Sequence, residues 1–89
     1  MQDKISEKKQ LILNALASTL KELRQGKSQF IFSSENDISI SIISMVERGL
    51  KDPQLTTVFK LAEACNVNVS TFISKISEKL PPDFSLIEK

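Results

Sequence analysis

Side chains that could carry out catalysis or bind a metal are scarce in this sequence. It contains no histidine and a single cysteine, Cys65, which removes the commonest general base and any zinc site built from several cysteines. The carboxylates Glu22, Glu47 and Glu63 are widely separated. We therefore expect no enzymatic activity, no cofactor and no metal site. Cys65 is expected to be a small buried apolar residue, because its surroundings lack the cations that activate a thiol.

The segment 39–48 combines short hydroxyl side chains with a single cation. Ser39 is predicted to cap a helix that closes at Gly49. Ile43, Val46 and Leu50 recur at steps of three and four residues, so we expect them to share the buried face. The opposite face then presents Ile40, Ser41, Ser44, Met45 and Arg48. A helix with small residues near its amino terminus fits a groove about 12 Å wide, the width of the DNA major groove, and its first amides favour phosphate.

Apolar periodicity predicts an all-α chain of five helices with no strand. The first helix is expected over Lys4–Gln25 and stops at Gly26. Its apolar stripe consists of Ile5, Ile12, Leu16, Leu20 and Leu23. The second helix is expected from Ser28, its cap, to about Glu35. A turn at residues 36–37 leads to the Ser39 helix, because Asn and Asp tolerate a left-handed backbone.

Two further helices complete the predicted domain. The fourth carries an apolar stripe that consists of Leu55, Val58, Phe59, Ala62 and Cys65. We expect Ser70 to cap the fifth helix and Pro81 to end it. The apolar face of this last helix carries Val69, Phe72, Ile73, Ile76 and Leu80. Residues 1–80 then form one domain and residues 81–89 a short tail. Phe32, Phe59 and Phe72 are predicted core residues.

The size of two apolar faces raises the question of a second subunit. The apolar face of the fifth helix is larger than is needed to cover the core formed by the other four helices. Part of it is therefore predicted to be a dimer interface, with plain core as the alternative. Leu11 and Leu13 widen the stripe of the first helix in the same way. They indicate either fuller core burial or packing on a partner.

The bulk charge argues weakly against nucleic acid. The net charge is +1, whereas phosphate contacts usually come from a basic surface. A basic patch must therefore arise from the arrangement of charges, and we expect weak non-specific binding to DNA. No apolar run reaches the roughly 18 residues of a membrane span. A reducing cytoplasm without membrane association is the expected location.

Four sequence segments together resemble a known family. They are "SQ" at 28–29, "IS" at 38–39, "VERGLKDPQL" at 46–55 and "LAEACNVNVSTF" at 61–72. In this order and spacing they are similar to the Cro/C1-type (Xre-family) helix-turn-helix regulators. The resemblance covers Leu20 to Ile73 and implies a lambda-repressor-like domain whose second and third helices form the helix-turn-helix. It implies double-stranded DNA as the partner.

The resemblance also implies roles for individual residues. Gln29 matches a glutamine that touches phosphate and braces the recognition helix. Ser39 begins that helix, and its base-reading positions are occupied by Ile40, Ser41, Ser44 and Met45. Arg48 and Lys51 fall where the following loop approaches the sugar-phosphate backbone. Glu47 matches an acidic residue that pairs with an arginine of the first helix, and Arg24 is the candidate.

This chain departs from the family pattern in three places. The link from Arg24 to Gln29 is shorter than usual, which leaves the pairing of Arg24 with Glu47 open. Asp37 stands where glycine is common. Ile40 and Met45 are apolar where the family usually has Gln, Arg, Lys or Asn.

Two interpretations of the apolar positions remain open at this point. In one, Ile40 and Met45 contact thymine methyl groups while Ser41 and Ser44 hydrogen-bond bases or phosphates. In the other, Ile40 and Met45 form a patch with Phe30 that binds a second protein instead of DNA. The first predicts a dimeric regulator, more plausibly a repressor than an activator, on a pseudo-palindromic operator. A phage repressor, a restriction-modification controller, an antitoxin or a stand-alone regulator would all fit.

Overall fold

A computed structural model of the protein describes residues 4–87. The other residues of the predicted domain and tail, and the side chain of Ile5, lie outside the described part. Within it the chain forms five α-helices, which are α1 (Lys4–Arg24), α2 (Gln29–Asn36), α3 (Ile40–Glu47), α4 (Leu55–Ala64) and α5 (Val69–Ser77). The expected all-α, five-helix architecture is confirmed. No described helix is long and apolar enough to cross a bilayer.

The turns around α2 and α3 form as the local sequence predicts. The Ser28 hydroxyl accepts a hydrogen bond from the Ile31 amide at 3.1 Å, and the Ser39 hydroxyl accepts one from the Ile42 amide at 3.1 Å. Each serine thus satisfies an amide that has no partner within its helix. Asp37 has a φ of 52°, so it reverses the chain between α2 and α3 in the left-handed conformation that aspartate tolerates.

One core joins all five helices. α1 packs against α3 and α5, α2 against α3, and α4 against α5. The fully buried centre consists of Leu20, Ile43, Val46, Leu61 and Phe72, with Leu16, Phe32, Ile38 and Ile76 around it. Ile43 and Val46 therefore anchor the inner face of α3, as their spacing predicts.

Three residues on the predicted apolar faces of the third and fourth helices are exposed, and Leu55, at the start of α4, is 68% exposed. Leu50 is 58% exposed, because α3 ends at Glu47 and the chain turns at Gly49, where φ is 70°. The helical spacing that would have placed Leu50 beneath Val46 does not extend past that turn. Phe59 is 52% exposed. On α4 the fully buried positions are Leu61 and Ala62, so Phe59 lies at the solvent-exposed edge of the apolar stripe.

The fifth helix also differs from the prediction. Its cap is Asn68, whose side-chain oxygen accepts a hydrogen bond from the Thr71 amide at 2.8 Å, and not Ser70. The helix ends at Ser77, before Leu80. Phe72 and Ile76 lie inside the subunit, with exposed fractions of 0% and 8%, because α5 turns this face onto α1 and α4. Both side chains therefore belong to the subunit core, which is the alternative that the sequence left open for this face and the position predicted for Phe72.

Candidate nucleic-acid interface

The outer face of α3 is open to solvent. Ile40 is 44% exposed and Met45 is 38% exposed. Ser39 and Ser41 are exposed, and Ser44 is half-buried. Positions 40, 41, 44 and 45 together cover an arc of about 140° of the helix, given about 100° per residue. The structure therefore brings the sequence-predicted base-reading residues onto one accessible surface.

The far end of α3 is held by a buried ion pair. The Arg24 guanidinium donates from Nε to Glu47 Oε2 and from Nη2 to Glu47 Oε1, both at 2.7 Å. Glu47 keeps only 2% of its side-chain surface and Arg24 keeps 18%. Hydrogen bonding to Glu47 is the main cause that raises the pKa of Arg24. The short link between α1 and α2 therefore does not prevent this pairing; Arg24 also donates to the carbonyl of Lys27 within that link.

Gln29 belongs to the same network. Its Nε2 donates to Glu47 Oε1 at 2.9 Å, so one glutamine at the start of α2 braces the end of α3. Among the described residues the second hydrogen on Nε2 has no acceptor, and a phosphate oxygen is an acceptor of the suitable kind. The geometry thus allows both roles that the resemblance implies for this residue.

Two cations follow α3. Arg48 is exposed and Lys51 is half-buried, and neither forms an ion pair with another residue in the part of the chain the structure describes. Nearby Lys27 differs, because its Nζ lies 2.6 Å from Glu35 Oε1. Within the described residues, Arg48 and Lys51 thus carry positive charge beside α3 that no ion pair balances, as does Lys21, which lines the same surface pocket as Arg48.

A hydrogen-bonded brace that the sequence did not predict joins α1 to the turn after α3. Gln10 Nε2 donates to the Gly49 carbonyl at 2.9 Å and also to Asn14 Oδ1 at 2.9 Å. A Cβ atom at Gly49 would lie 2.9 Å from Asn14 Oδ1 and 3.0 Å from Gln10 Nε2. The sequence shows two amide side chains four residues apart, Gln10 and Asn14, which can hydrogen-bond on one face of a helix. It does not show that Gln10 also binds Gly49, which lies 39 residues away in sequence.

The remaining chemistry-bearing residue is Cys65. Its side chain is buried. Burial, and secondarily the negative charge of Glu47, raises its pKa to about 11. A thiol of that pKa is protonated at neutral pH and is a poor nucleophile, so Cys65 acts as a core residue.

The residues proposed for dimerisation divide into two groups. Ile73 is 45% exposed, while Val69 and Leu80 are half-buried and pack against the core. Phe72 and Ile76 are covered, as described above. What stays accessible on α5 borders an apolar groove of about 270 Å³ between α1, α4 and α5.

Comparison with known proteins agrees with this geometry. The helix-turn-helix family model HTH_3 matches residues 20–72, more than half of the chain. The HTH-type transcriptional regulator SutR of Escherichia coli (strain K12) is 35% identical over 68 residues, which cover 74% of this chain and 38% of that regulator. The chain thus spans well under half the length of this relative. On the match over its core, turn and capped recognition helix, the chain belongs to the Cro/C1-type family of helix-turn-helix proteins.

Proposed function

We propose that this protein is a sequence-specific DNA-binding transcription regulator that acts as a dimeric repressor. The observation that carries the proposal is the accessible face of α3, where Ile40, Ser41 and Met45 are exposed. In helix-turn-helix proteins the amino-terminal part of this helix meets base edges while the preceding helix crosses the DNA backbone. The transcriptional regulator to which the chain is similar supports the same role.

Phosphate contacts are expected on both sides of that face. At its start, Ser39 uses its oxygen as an acceptor within the helix cap, which leaves the hydroxyl hydrogen free to donate to a phosphate oxygen. At its end, Arg48 and Lys51 supply the unbalanced positive charge. Gln29 adds one amide hydrogen. This arrangement offers a few phosphate contacts per subunit despite a net charge of +1.

The dimer is expected to form through the accessible part of α5. Ile73 offers exposed apolar surface there, and Leu80 lies beside the groove that α5 forms with α1. A two-fold dimer would place its two recognition helices about 34 Å apart, one turn of DNA, on a pseudo-palindromic operator. Repression would then follow from occlusion of the polymerase site.

A gel-shift assay with DNA upstream of the protein's own gene tests the DNA-binding role. We expect specific retardation that Ser41→Glu abolishes, because a carboxylate on the exposed face repels the phosphate backbone. Ser85→Glu adds the same charge in the tail and should leave retardation intact. Circular dichroism of both variants serves to check that each is folded. Equal weak binding of the wild type to all DNA would contradict the proposal.

Light scattering tests the dimer. At micromolar concentration we expect twice the monomer mass for the wild type and a single monomer mass for Ile73→Asp. Ile87→Asp, which changes an exposed isoleucine of the tail, is the control and should remain dimeric. A wild type that is monomeric, or a dimer indifferent to Ile73→Asp, would refute this interface.

One observation favours a second candidate function. Phe30 on α2 is 69% exposed and the neighbouring Ile31 is 45% exposed, which adds apolar surface to the helix-turn-helix beyond Ile40 and Met45. Exposed apolar surface of this kind also suits a protein partner, as in an antitoxin or an interaction module. Phe30→Ser separates the two. It should leave operator affinity largely unchanged if the face reads DNA, and should weaken capture of a partner if the face binds protein.

A further inference from the structure

The side chains on α3 limit how this helix could read a base pair. Direct readout usually relies on Arg or Lys for guanine and on Asn or Gln for adenine, through pairs of hydrogen bonds. The sequence of α3 is ISIISMVE, which contains none of these residues. Its one long polar side chain is Glu47, which is 4% exposed and already engaged by Arg24 and Gln29.

The cations Arg48 and Lys51 follow the carboxyl end of α3 and do not lie at its amino-terminal end. Arg48 follows the helix and lies eight residues after Ile40, which corresponds to about 12 Å along a helix axis at 1.5 Å per residue. When the amino-terminal end of a recognition helix meets base edges, a side chain two turns away approaches the backbone instead. Base discrimination at the amino-terminal end is left to Ile40, Ser41, Ser44 and Met45.

Two of those four side chains are apolar and exposed. Part of the apolar surface of Ile40 and Met45 is exposed to water, and contact with another apolar group would bury it, which is favourable. In the major groove the pyrimidine 5-methyl group is the apolar group that a base edge offers, and thymine carries it. Serine hydroxyls bond to several bases, so Ser41 and Ser44 contribute little discrimination of their own.

We infer that α3 recognises its operator chiefly through pyrimidine 5-methyl groups, with thymines packed against Ile40 and Met45. This inference rests on the proposed DNA-binding function and specifies the chemistry that the site recognises. DNA is favoured over a protein partner as occupant because Arg48 and Lys51, beside the same helix, form no ion pair with any described residue. The phosphate backbone complements their positive charge.

The experiment removes single methyl groups from the DNA. A bound sequence is first selected from a random duplex library, and each thymine of one half-site is then replaced by deoxyuridine, which differs only by the missing methyl. At the contacted positions we expect affinity to fall about fourfold per methyl, the value of one apolar carbon removed from contact. Deoxyuridine at positions outside the half-site should leave the affinity unchanged.

Protein variants assign the effect to its residues. For Ile40→Ala and Met45→Ala, the affinities for the thymine and uridine operators should converge at the thymine that each side chain contacts. Ile87→Ala is the matched control and should retain the full difference. Both test positions are partly exposed, so the fold should survive, and circular dichroism verifies this.

The possible results separate this inference from the proposed function. Selective binding that no uridine substitution weakens would overturn methyl recognition while leaving a DNA-binding regulator. A methyl effect that persists in both alanine variants would overturn the assignment to α3. If the library yields no enriched sequence, DNA binding itself fails, methyl recognition fails with it, and a protein partner becomes the better explanation of the exposed face.

Discussion

The two ends of α3 differ in how firmly the rest of the subunit holds them. At the carboxyl end, Glu47 is clamped by Arg24 and Gln29, and Gly49 accepts a hydrogen bond from Gln10. At the amino end, Ile40 and Ser41 form no side-chain contact of this kind in the part of the chain that the structure describes, and both are exposed. A recognition helix needs this asymmetry, because one end must fix its orientation while the other stays available to a ligand.

The largest effect is expected from breaking the clamp. Arg24→Ala leaves the Glu47 carboxylate buried without its cation, so the free energy of unfolding should fall by roughly 3–5 kcal/mol. Urea denaturation followed by circular dichroism measures this. Lys27→Ala breaks the exposed pair with Glu35 and is the control, with an expected loss of about 0–1 kcal/mol. Equal losses for the two variants would show that the clamp does not set the stability of this end.

The turn after the clamp should be the next most sensitive point. Gly49→Ala must adopt a left-handed backbone at a cost of about 1–2 kcal/mol, and its Cβ also meets Asn14 and Gln10. Gly26→Ala has a similar positive φ, but a Cβ there meets nothing within 4 Å. Thermal unfolding of both variants should show the larger loss for Gly49. Identical losses would mean that the side chains of Asn14 and Gln10 move aside with no loss of stability.

The raised pKa of the Cys65 thiol should make the stability of the protein depend on pH. Its pKa of about 11 in the folded protein lies above the ordinary thiol value of 9.0, so the folded state retains the proton that the unfolded state loses. Stability should therefore fall as the pH rises from about 9 to about 11. Denaturation at several pH values measures the fall, and Cys65→Ala should show less of it. Coincident profiles for the two proteins would refute a perturbed thiol.

The smallest effect on stability is expected at the exposed end. Ile40→Ala and Ser41→Ala should each change the free energy of unfolding by no more than about 0.5 kcal/mol, as surface substitutions usually do. The same variants should weaken operator binding, which a titration followed by fluorescence anisotropy can measure. A loss of stability comparable to that of Arg24→Ala would mean that the face contributes to the core and is not kept free for a ligand.

Local features of the chain could be predicted because a few adjacent residues decide them. Ser28 and Ser39 cap their helices through an amide three residues ahead, and Asp37 turns the backbone by its own conformation. Ile43 and Val46 share one face because both lie within a single regular helix. Each prediction depended on spacing along the chain, which the sequence states directly.

Tertiary structure decided what depends on how helices cross. Leu50 and Phe59 fit an apolar stripe but are exposed, whereas Ile76 was assigned to an interface and is buried in the subunit. An apolar stripe indicates which side of a helix faces the core. How many residues of that side are buried depends on how the neighbouring helices pack against it. For the same reason Gln10 could not be paired with Gly49 in advance.

The sequence by itself thus determined the helices, the caps of α2 and α3 and the small apolar face of α3, since these follow from hydrogen bonds and periodicity within about ten residues. Only the folded chain decided that this face stays open, that Arg24 reaches Glu47 across 23 positions, and that most of the apolar side of α5 faces inward. Burial is a property of surfaces brought together from distant parts of the chain, and spacing along one helix does not contain it.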